Sequence, residues 1–473
     1  MNNLNLIFPE IFISLSLMTL LILGVFKKNS ATLVYNLSIV SLLILLALIF
    51  NLTSVNESYV FNQSYKIDAL STFMKMLTVA SGILVMFSSS KYLKFIKIFK
   101  IEYPILLLSA ILGMMVMISS NDLIVFYLGL EIQAMSLYVL ASFNRENIFS
   151  TESGVKFFVL SALSSGLLLY GCSLIYGFSG TTNFNLISAN NLFEAKYGIT
   201  FGIVFILVGL SFKISAVPFH MWAPDVYQGS PTSVTLFFAI LPKIAALAVF
   251  IRFLYVPFVN LIDQWQPIII FLSIASMVFG SVAAIGQRNL KRLAAYSSIG
   301  HMGYALAGLA VGTNAGIQSS IVYITIYAVM NVALFSCLLM MRRNEYYYEN
   351  IEDLSGLSKN HPILSFSLLI ILFSLAGIPP LAGFFAKFYI FLAVIEKSMY
   401  WLAIIGLLST VIAAFYYLRI IKVIYFDPLK EKYDTNHQLG LKITLLISTI
   451  FILLYFIYPS VLTNIVLGIN IIQ

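Results

Sequence analysis

The stretch GLSFKISAVPFHMWAPDVYQGSP, from Gly209 to Pro231, places a charge beside a helix breaker inside an apolar run. Lys213 precedes Pro218 by five positions, and His220 follows the proline before any polar loop begins. Proline removes a helix hydrogen bond and clashes with the preceding turn. Inside a membrane, such irregular backbone is tolerated only where protein or a water-filled cavity satisfies its polar groups. The stretch therefore predicts a broken transmembrane helix that lines a hydrated path.

The composition of the whole chain is that of an integral membrane protein. Hydrophobic residues make up 60% of it and charged residues 10%, with a mean hydropathy of +0.96, whereas soluble domains carry about 25% charged residues. Apolar runs of roughly 20 residues, enough to cross about 30 Å of hydrocarbon, recur along its length and leave no room for a soluble domain. The sequence predicts an all-α polytopic membrane protein with about fourteen transmembrane helices.

The predicted spans include two long segments, the seventh and the twelfth, that contain prolines in their middle. The spans are 6–26, 31–50, 67–90, 103–119, 122–143, 153–178, 197–227, 232–253, 267–286, 293–312, 317–341, 362–395, 400–426 and 441–457. The first has no basic region before it, and Lys27 and Lys28 follow it. It is therefore predicted to be an uncleaved helix and not a signal peptide.

The basic residues between the spans indicate the orientation. When loops are assigned alternately to two sides, eighteen basic residues fall on one side and only Lys66, Lys196, Arg252 and Lys397 on the other. By the positive-inside rule, the rich side is cytoplasmic and both termini are periplasmic. The net charge of +8 is thus scattered over short loops, which argues against a nucleic-acid surface. The rich side comprises Lys27, Lys28, Lys91, Lys94, Lys97, Lys100, Arg145, Arg288, Lys291, Arg292, Arg342, Arg343, Lys359, Arg419, Lys422, Lys430, Lys432 and Lys442.

Five lysines remain inside predicted spans, and they are candidates for function. A charge at the centre of a transmembrane helix costs roughly 2.5 to 3.5 kcal/mol, so these side chains are expected to face the interior of the bundle. Glu131 is the acidic residue best placed to pair with these lysines, since it lies about 14 Å along its helix, near the bilayer midplane. Burial disfavours a charged lysine and a nearby carboxylate favours it, which suits lysine to proton relay. The five are Lys75, Lys156, Lys213, Lys243 and Lys387.

Each of these groups also has a structural interpretation. Lys156 begins its span and has the length to snorkel to the cytoplasmic surface, and Lys75 has Asp68 nearby as an ion-pair partner. Glu131 and the three deeper lysines would, on this interpretation, form purely structural ion pairs. Cys172 and Cys337 lie within spans and are predicted to be small core residues, because two cysteines are too few for a disulfide framework or metal site.

A second proline break indicates an internal repeat. The stretch FSLAGIPPLAGFFAKFYIF, residues 373–391, contains two prolines followed by Lys387. Aligning SAVP at 215–218 with AGIP at 376–379 gives an offset of 161 residues. Five spans separate the two breaks, and because five is odd, the two five-helix units have opposite orientations, as in the inverted repeats of secondary transporters. The predicted division is 1–100 for three N-terminal helices, 101–260 and 261–428 for the two repeats, and 429–473 for a C-terminal helix.

Two histidines belong to the same candidate path. His220 falls beside the first break, and His301 lies in the middle of its span, in SSIGHMGYALAGLA. Histidine titrates near neutral pH and is able to relay protons. The alternative for each is a hydrogen-bonded core histidine.

Three stretches resemble a known family. FKISAVPFHMWAPDVYQGSPTSVTLFFAILPKIA, NLKRLAAYSSIGHMGYALAGLA and LAGIPPLAGFFAKFYIF are similar to the antiporter-like membrane subunits of respiratory complex I, NADH:quinone oxidoreductase. The resemblance covers nearly the whole chain. Two features match one of the three subunit types. One is Lys387 in the last broken helix, where another subunit type has glutamate, and the other is the lack of a C-terminal helical arm. Mrp-type sodium/proton antiporter subunits are the related alternative.

The resemblance implies a role for each buried charge. Glu131 would pair with Lys213, with Lys156 nearby to modulate the pair. Lys243 would be the central relay, and Lys387 would connect it to the outer side. Opening or closing the Glu131 and Lys213 pair would change the proton affinity of the central lysine and couple it to quinone reduction elsewhere.

The resemblance also implies partners. The sequence contains no Rossmann fingerprint, P-loop or cysteine cluster, so no redox site is expected in this chain, and FMN and iron–sulfur clusters are expected in partner subunits. The expected partners are other membrane subunits of complex I, including neighbouring antiporter-like subunits, and the lipid bilayer. Three spans before the repeats favour a bacterial inner membrane over a mitochondrial one. A solute-carrying secondary transporter is a third and weaker hypothesis, because the buried charges form a chain of lysines and no solute pocket.

Overall fold

The computed structural model describes residues 2–54, 57–189, 196–343, 346–428, 433–434 and 439–472, and within them the chain is almost entirely helical. Lys430 and Lys432, which were assigned to the basic side, lie outside these residues. The α-helices are α1 Asn2–Leu6, α2 Phe8–Phe26, α3 Ala31–Asn51, α4 Ala69–Phe95, α5 Glu102–Ile118, α6 Leu123–Ala141, α7 Ile148–Ser179, α8 Phe184–Ala189, α9 Lys196–Ile214, α10 Trp222–Gly229, α11 Thr232–Tyr255, α12 Ile262–Ile285, α13 Leu290–Ala310, α14 Asn314–Met340, α15 Leu357–Asn360, α16 Pro362–Ala376, α17 Ala382–Glu396, α18 Tyr400–Phe426, α19 Leu439–Leu454 and α20 Ser460–Leu467.

Short strands and 3₁₀ turns occupy the connections. Two antiparallel hairpins form, β1 with β2 and β3 with β4. Their bounds are β1 Ser58–Val60, β2 Tyr65–Ile67, β3 Arg342–Arg343 and β4 Tyr346–Tyr347, and the 3₁₀ turns are Leu52–Ser54, Val259–Leu261 and Ile351–Leu354.

Every predicted span coincides with a helix or with a broken pair of helices, so the predicted all-α membrane fold is confirmed. In the described part of the chain, ten helices are long and apolar enough to cross a membrane, and α5, α16 and α19 are shorter apolar helices. Helix α13 has 21 residues, but its serines and its histidine make it more polar than the others. Cys172 and Cys337 are buried and unbridged, as predicted for small core residues.

The two breaks separate α9 from α10 and α16 from α17. Each has a residue with positive φ, Ser215 at +61° and Gly377 at +88°, and each has a cis proline bond three residues later, at Pro218 and Pro380. The two residues with positive φ lie 162 positions apart, one more than the offset of 161 that the matching letters give.

Helix pairing repeats between the two halves. In the first, α5 packs on α6 and α11, α6 on α7, and α7 on α9 and α10. In the second, α12 packs on α13 and α18, α13 on α14, and α14 on α16 and α17. Lys213 precedes its break and Lys387 follows its break, so the two lysines lie on opposite halves of their broken helices.

Helix α11 forms the centre of the fold, since every one of its residues is buried. It packs against α4, α5, α9 and α14. Pro242 lies inside it and has no N–H to donate to the carbonyl of Phe238, four residues earlier. The Tyr227 hydroxyl donates to that carbonyl at 3.3 Å. Helix α10 thus satisfies the backbone that Pro242 leaves open, immediately before Lys243.

A buried ion pair joins the N-terminal helices to α11. Arg252 contacts both carboxylate oxygens of Asp68, at 2.8 and 3.1 Å, and Lys66 lies 3.6 Å from Asp68. Arg252, expected in an outer loop, is thus a buried residue in the last turn of α11.

Lys75 has a different partner from the one predicted. Its Nζ lies 2.7 Å from Glu10 and 3.0 Å from the Tyr65 hydroxyl, whereas Asp68 is engaged by Arg252 and Lys66. Glu10 is therefore a second acid within the helical bundle, on α2. A sequence separation of 65 residues hid this pair, which forms only because folding brings the first turn of α2 close to Lys75 of α4.

Candidate functional site

Lys243 lies at the centre of the molecule and is completely buried. Its Nζ donates a hydrogen bond to the Ser298 hydroxyl and lies 5.6 and 5.8 Å from the ring centroids of Tyr227 and Tyr327. No carboxylate in the described part of the chain forms an ion pair with it. A hydroxyl and two aromatic faces, which attract a cation only modestly, thus replace a fixed counter-charge. This environment favours gain and loss of a proton over permanent pairing.

One face of α13 continues from Lys243 towards the second break. Ser298, His301 and Tyr304 are spaced by three residues and so follow one another along the helix, covering about 9 Å. His301 Nδ1 lies 2.6 Å from the Tyr323 hydroxyl and its Nε2 lies 3.2 Å from the Tyr417 hydroxyl. The imidazole is therefore bonded on both sides, to α14 and to α18.

Lys387 lies at the other end of this face. Its Nζ is 5.1 Å from the ring centroid of Tyr304 and donates to the carbonyls of Leu375 at 3.2 Å and Ala376 at 2.9 Å. These carbonyls end α16, where the helix dipole places partial negative charge. The break therefore provides the polar environment for a buried lysine that lacks a carboxylate partner among the described residues. Gly377 permits the approach, since a Cβ there would lie 3.1 Å from Nζ.

The structure thus places Lys243, His301 and Lys387 along one face of α13, and their role as proton relays stays a prediction. Three steps between them lack a direct hydrogen bond among the described residues: from Ser298 to His301, from His301 to Tyr304, and from the Tyr304 hydroxyl to Lys387. The Tyr327 hydroxyl is buried without a hydrogen-bond partner in the described structure, and its ring packs against His301 at 5.3 Å. Both ring nitrogens of histidine exchange protons, so this cluster has the chemistry of a relay.

Lys213 and Glu131 do not form the ion pair that the resemblance implied. Lys213 Nζ donates to the Ser161 hydroxyl at 2.8 Å, and Ser161 accepts a second bond from the Tyr138 hydroxyl at 2.7 Å. Tyr138 lies two helical turns beyond Glu131 on α6. The physical reason for the difference is that the Ser161 hydroxyl lies within hydrogen-bonding distance of the ammonium group, whereas the Glu131 carboxylate forms no ion pair with it among the described residues. In this structure the pair is open.

Unpaired polar atoms surround the open pair. Glu131 Oε1 and the hydroxyls of Ser165 and Ser211 are buried without a hydrogen-bond partner among the described residues. Glu131 lies on α6, Ser165 lies on α7 with Ser161, and Ser211 lies on α9 with Lys213. Buried polar groups of this kind are normally satisfied by internal water. The region between α6, α7 and α9 is thus suited to hydration.

Lys156 takes no part in this group. Its side chain is 43% exposed and bridges Glu152 and Asp225, both at 2.8 Å, and Asp225 also pairs with Arg292 at 2.7 Å. None of its recorded contacts is with Glu131 or Lys213. The resemblance implied that Lys156 modulates the pair of Glu131 and Lys213, and that role stays a prediction. The contact of its exposed ammonium group with Asp225 of α10 agrees with the snorkelling interpretation.

Two adjoining cavities open beside this ion-pair cluster. One of about 190 Å³ is lined by Lys156, Asp225 and Arg292, and one of about 380 Å³ is lined by Lys291 and Glu349. They share Phe149, Gln228 and Gly229 in their walls. The cavities lie where α10 ends, which places water-sized space at the basic-side end of the first broken helix.

His220 lies beside the first break but contacts none of the other candidate groups. Its ring packs against Phe279 of α12 with centroids 4.5 Å apart, and its Nδ1 is buried without a hydrogen-bond partner in the described structure. Its role in a relay stays a prediction.

Sequence reasoning missed the tyrosines and serines that connect the lysines. The spacing of Ser298, His301 and Tyr304 was visible as one helical face. Tyr323 and Tyr417, from α14 and α18, gave no local signal, because tyrosine is common among the apolar residues of membrane helices and because these two meet His301 only after folding.

Two sets of helices that pack in the same order, each with a broken helix beside a buried lysine, define a class of antiporter-like membrane proteins. Residues 120–413 match the sequence model of one family, described as "NADH:quinone oxidoreductase/Mrp antiporter, TM". The chain belongs to this family. The resemblance inferred from the three sequence motifs is thereby confirmed.

Individual relatives agree with this family. A Pelagibacter ubique protein named NADH-quinone oxidoreductase subunit N is 72% identical over 472 residues, covering 100% of both chains. A protein of the same name from Parvibaculum lavamentivorans is 48% identical, covering 96% of this chain and 94% of its own. A chain of "Respiratory complex I from Thermus thermophilus with bound Aureothin" superposes with a TM-score of 0.84 at 26% identity, covering 96% of this chain and 98% of that chain.

Proposed function

We propose that this chain is the N-type, proton-translocating membrane subunit of an NADH:quinone oxidoreductase. It is placed in a bacterial inner membrane, with both termini on the periplasmic side. Electron transfer from NADH to quinone belongs to partner subunits that hold FMN and iron–sulfur clusters, and this chain carries no redox site. The names of relatives that match over nearly their whole length support the assignment to the complex. The divisions 1–100, 101–260, 261–428 and 429–473 are part of this proposal.

The observation that carries the proton path is the polar face of α13 between two buried lysines. Lys243 passes a proton from its Nζ towards Ser298, and His301 accepts it at one ring nitrogen while releasing another from the opposite nitrogen. Tyr323, Tyr417 and water molecules bridge the steps that lack a direct bond, since a bridging water is nearly as favourable as a direct hydrogen bond. Lys387 then receives the proton and delivers it to the outer side.

The first half of the molecule supplies and gates this path. Protons enter from the basic side, past the Lys156 and Asp225 cluster, and reach Lys213. In the open arrangement Lys213 bonds to Ser161, which leaves Glu131 without its partner. When Lys213 turns to Glu131, its positive charge is neutralised, and the electrostatic field at Lys243 changes. This switch couples the central lysine to events in neighbouring subunits.

Alanine substitution of Lys213 tests the proposed function. Lys213→Ala is expected to reduce NADH-driven proton pumping and NADH:quinone activity together, by tenfold or more, in a complex that assembles normally on a native gel. Lys196→Ala, at the outer end of the same helix, is the matched control and is expected to preserve both activities. Full activity of an assembled Lys213→Ala complex would reduce Lys213 to a structural residue and remove the first broken helix from the proton path.

Sodium/proton exchange is the second candidate function, because the description of the matching family includes the Mrp antiporters. The two functions differ in what drives transport. Proton uptake is measured in inverted membrane vesicles. The redox-coupled function is supported if this uptake requires NADH and is equal in sodium buffer and in sodium-free potassium buffer. Proton movement driven by a sodium gradient without NADH would support antiport instead.

A further inference from the structure

An apolar groove lies between α14, α16 and α19, away from the proton path. It encloses about 570 Å³ and is lined mainly by apolar side chains, among them Ile363, Leu446 and Ile450. These three are 82%, 59% and 46% exposed. The groove thus opens to the side of the protein, in the hydrocarbon region where such side chains meet lipid.

Positive charge lies at one end of this groove. Lys442 lines it, is exposed, and has no recorded hydrogen bond or ion pair to the described residues. The N-terminal end of α16 begins at Pro362, which also lines the groove, and no side chain caps that end. Free N–H groups and the helix dipole favour an anion there, and Lys442 adds a full charge. The mouth of the groove is therefore complementary to a negative group.

The dimensions of the groove match one leaflet of a bilayer. From Lys442 to Ile450 the groove follows α19 for eight residues, or about 12 Å. Half of a hydrocarbon core is about 15 Å. A charged group at the mouth would therefore lie at the membrane surface, with an apolar chain extending from it along the groove.

We propose that this groove binds an anionic glycerophospholipid, with its phosphate at Lys442 and the start of α16 and with one acyl chain along α19. The length favours an acyl chain over a protein helix, since the groove follows α19 for about 12 Å and a transmembrane helix is about 30 Å long. Lys442 also belongs to the basic side of the molecule, where anionic lipid headgroups attract lysine and arginine.

Photo-crosslinking in the assembled complex tests this site. The complex is reconstituted in phosphatidylcholine vesicles with a trace of phosphatidylglycerol that carries a diazirine on its acyl chain, or with phosphatidylcholine carrying the same diazirine. Labelled peptides of α16 and α19 are then quantified by mass spectrometry. We expect the anionic probe to label them about fivefold more than the zwitterionic probe, the preference that one surface lysine supplies.

Two variants and two matched controls distinguish headgroup from chain. Lys442→Glu is expected to reduce labelling by the anionic probe to the zwitterionic level, and Leu446→Trp, which fills the groove, to reduce labelling by both probes. Lys422→Glu on α18 and Ile447→Trp on α19 change exposed residues outside the groove and are expected to have no effect.

Two outcomes would overturn the proposal. Equal labelling by the two probes, unchanged in Lys442→Glu, would mean that the groove has no anion preference. Absence of labelling by either probe in the assembled complex would mean that a neighbouring subunit covers the groove. The wild-type comparison decides between these outcomes and the proposal even if a variant fails to assemble.

Discussion

Replacing Gly377 by alanine tests whether the second break positions Lys387. Gly377 has a φ of +88°, and an added Cβ would lie 3.0 Å from Lys387 Cδ and 3.1 Å from its Nζ. Alanine in the left-handed region costs roughly 1–2 kcal/mol. The new methyl group also forces the lysine to move by a few tenths of an ångström, away from the carbonyls of Leu375 and Ala376. Gly377→Ala therefore combines a backbone cost with a displaced relay group.

The size of the effect follows from the two hydrogen bonds of Lys387. A hydrogen bond to a charged group contributes about 1.5–3 kcal/mol, and a displacement that forfeits about half of one such bond costs roughly 1 kcal/mol. At about 1.4 kcal/mol for each factor of ten in rate, proton transfer through Lys387 is expected to slow about fivefold.

Gly180→Ala provides a matched control. Gly180 has a φ of +72° and nothing within 4 Å of its added Cβ, so alanine there has the same backbone cost without a contact to the relay. Proton uptake per NADH oxidised is measured in proteoliposomes of the assembled complex, together with its thermal unfolding. Both variants are expected to lower the unfolding temperature slightly, and only Gly377→Ala to slow pumping. Equal pumping in the two variants would refute the role assigned to the break.

Two further predictions concern the buried groups on and off the path. Glu10→Gln leaves Lys75 without a counter-charge and is expected to destabilise the subunit by about 3–5 kcal/mol. Thermal unfolding of the complex measures this loss, and pumping per NADH is expected to stay unchanged. The control Glu57→Gln changes an exposed residue and is expected to cost less than about 1 kcal/mol. A pumping defect in stable Glu10→Gln complex would place this pair on the path. His301→Gln retains hydrogen bonding but does not titrate, so pumping is expected to fall at least tenfold. His301→Leu is expected to have the same effect. Normal pumping in either variant would exclude a relay through the imidazole.

Much of the fold follows from hydrophobic length and proline placement alone. A bilayer requires about 20 apolar residues per helix, so apolar runs of this length predict spanning segments without knowledge of tertiary contacts. The breaks were predictable because proline disrupts a helix wherever it lies in mid-span. The residues with positive φ at the two breaks, Ser215 and Gly377, are 162 positions apart, which the letters of the two stretches do not show.

The candidate site was predictable to a lesser extent, because its partners come from distant segments. Lys243, His301 and Lys387 stood out because a charge or imidazole is unusual in an apolar helix. Their connecting tyrosines did not stand out. The partner of Lys75 was misassigned for the same reason, because Glu10 reaches it only through packing of helices that are far apart in the sequence. Asp225, the partner of Lys156, is likewise distant from it in the sequence.

Replacing Lys387 tests whether protons leave the α13 path through this side chain. Proton uptake per NADH oxidised is measured in proteoliposomes containing the assembled complex with Lys387→Met or with Lys397→Met, an exposed lysine ten residues further along the chain. We expect a large loss of pumping in Lys387→Met and a normal ratio of protons to NADH in Lys397→Met. A normal ratio in fully assembled Lys387→Met complex would exclude Lys387 from the proton path.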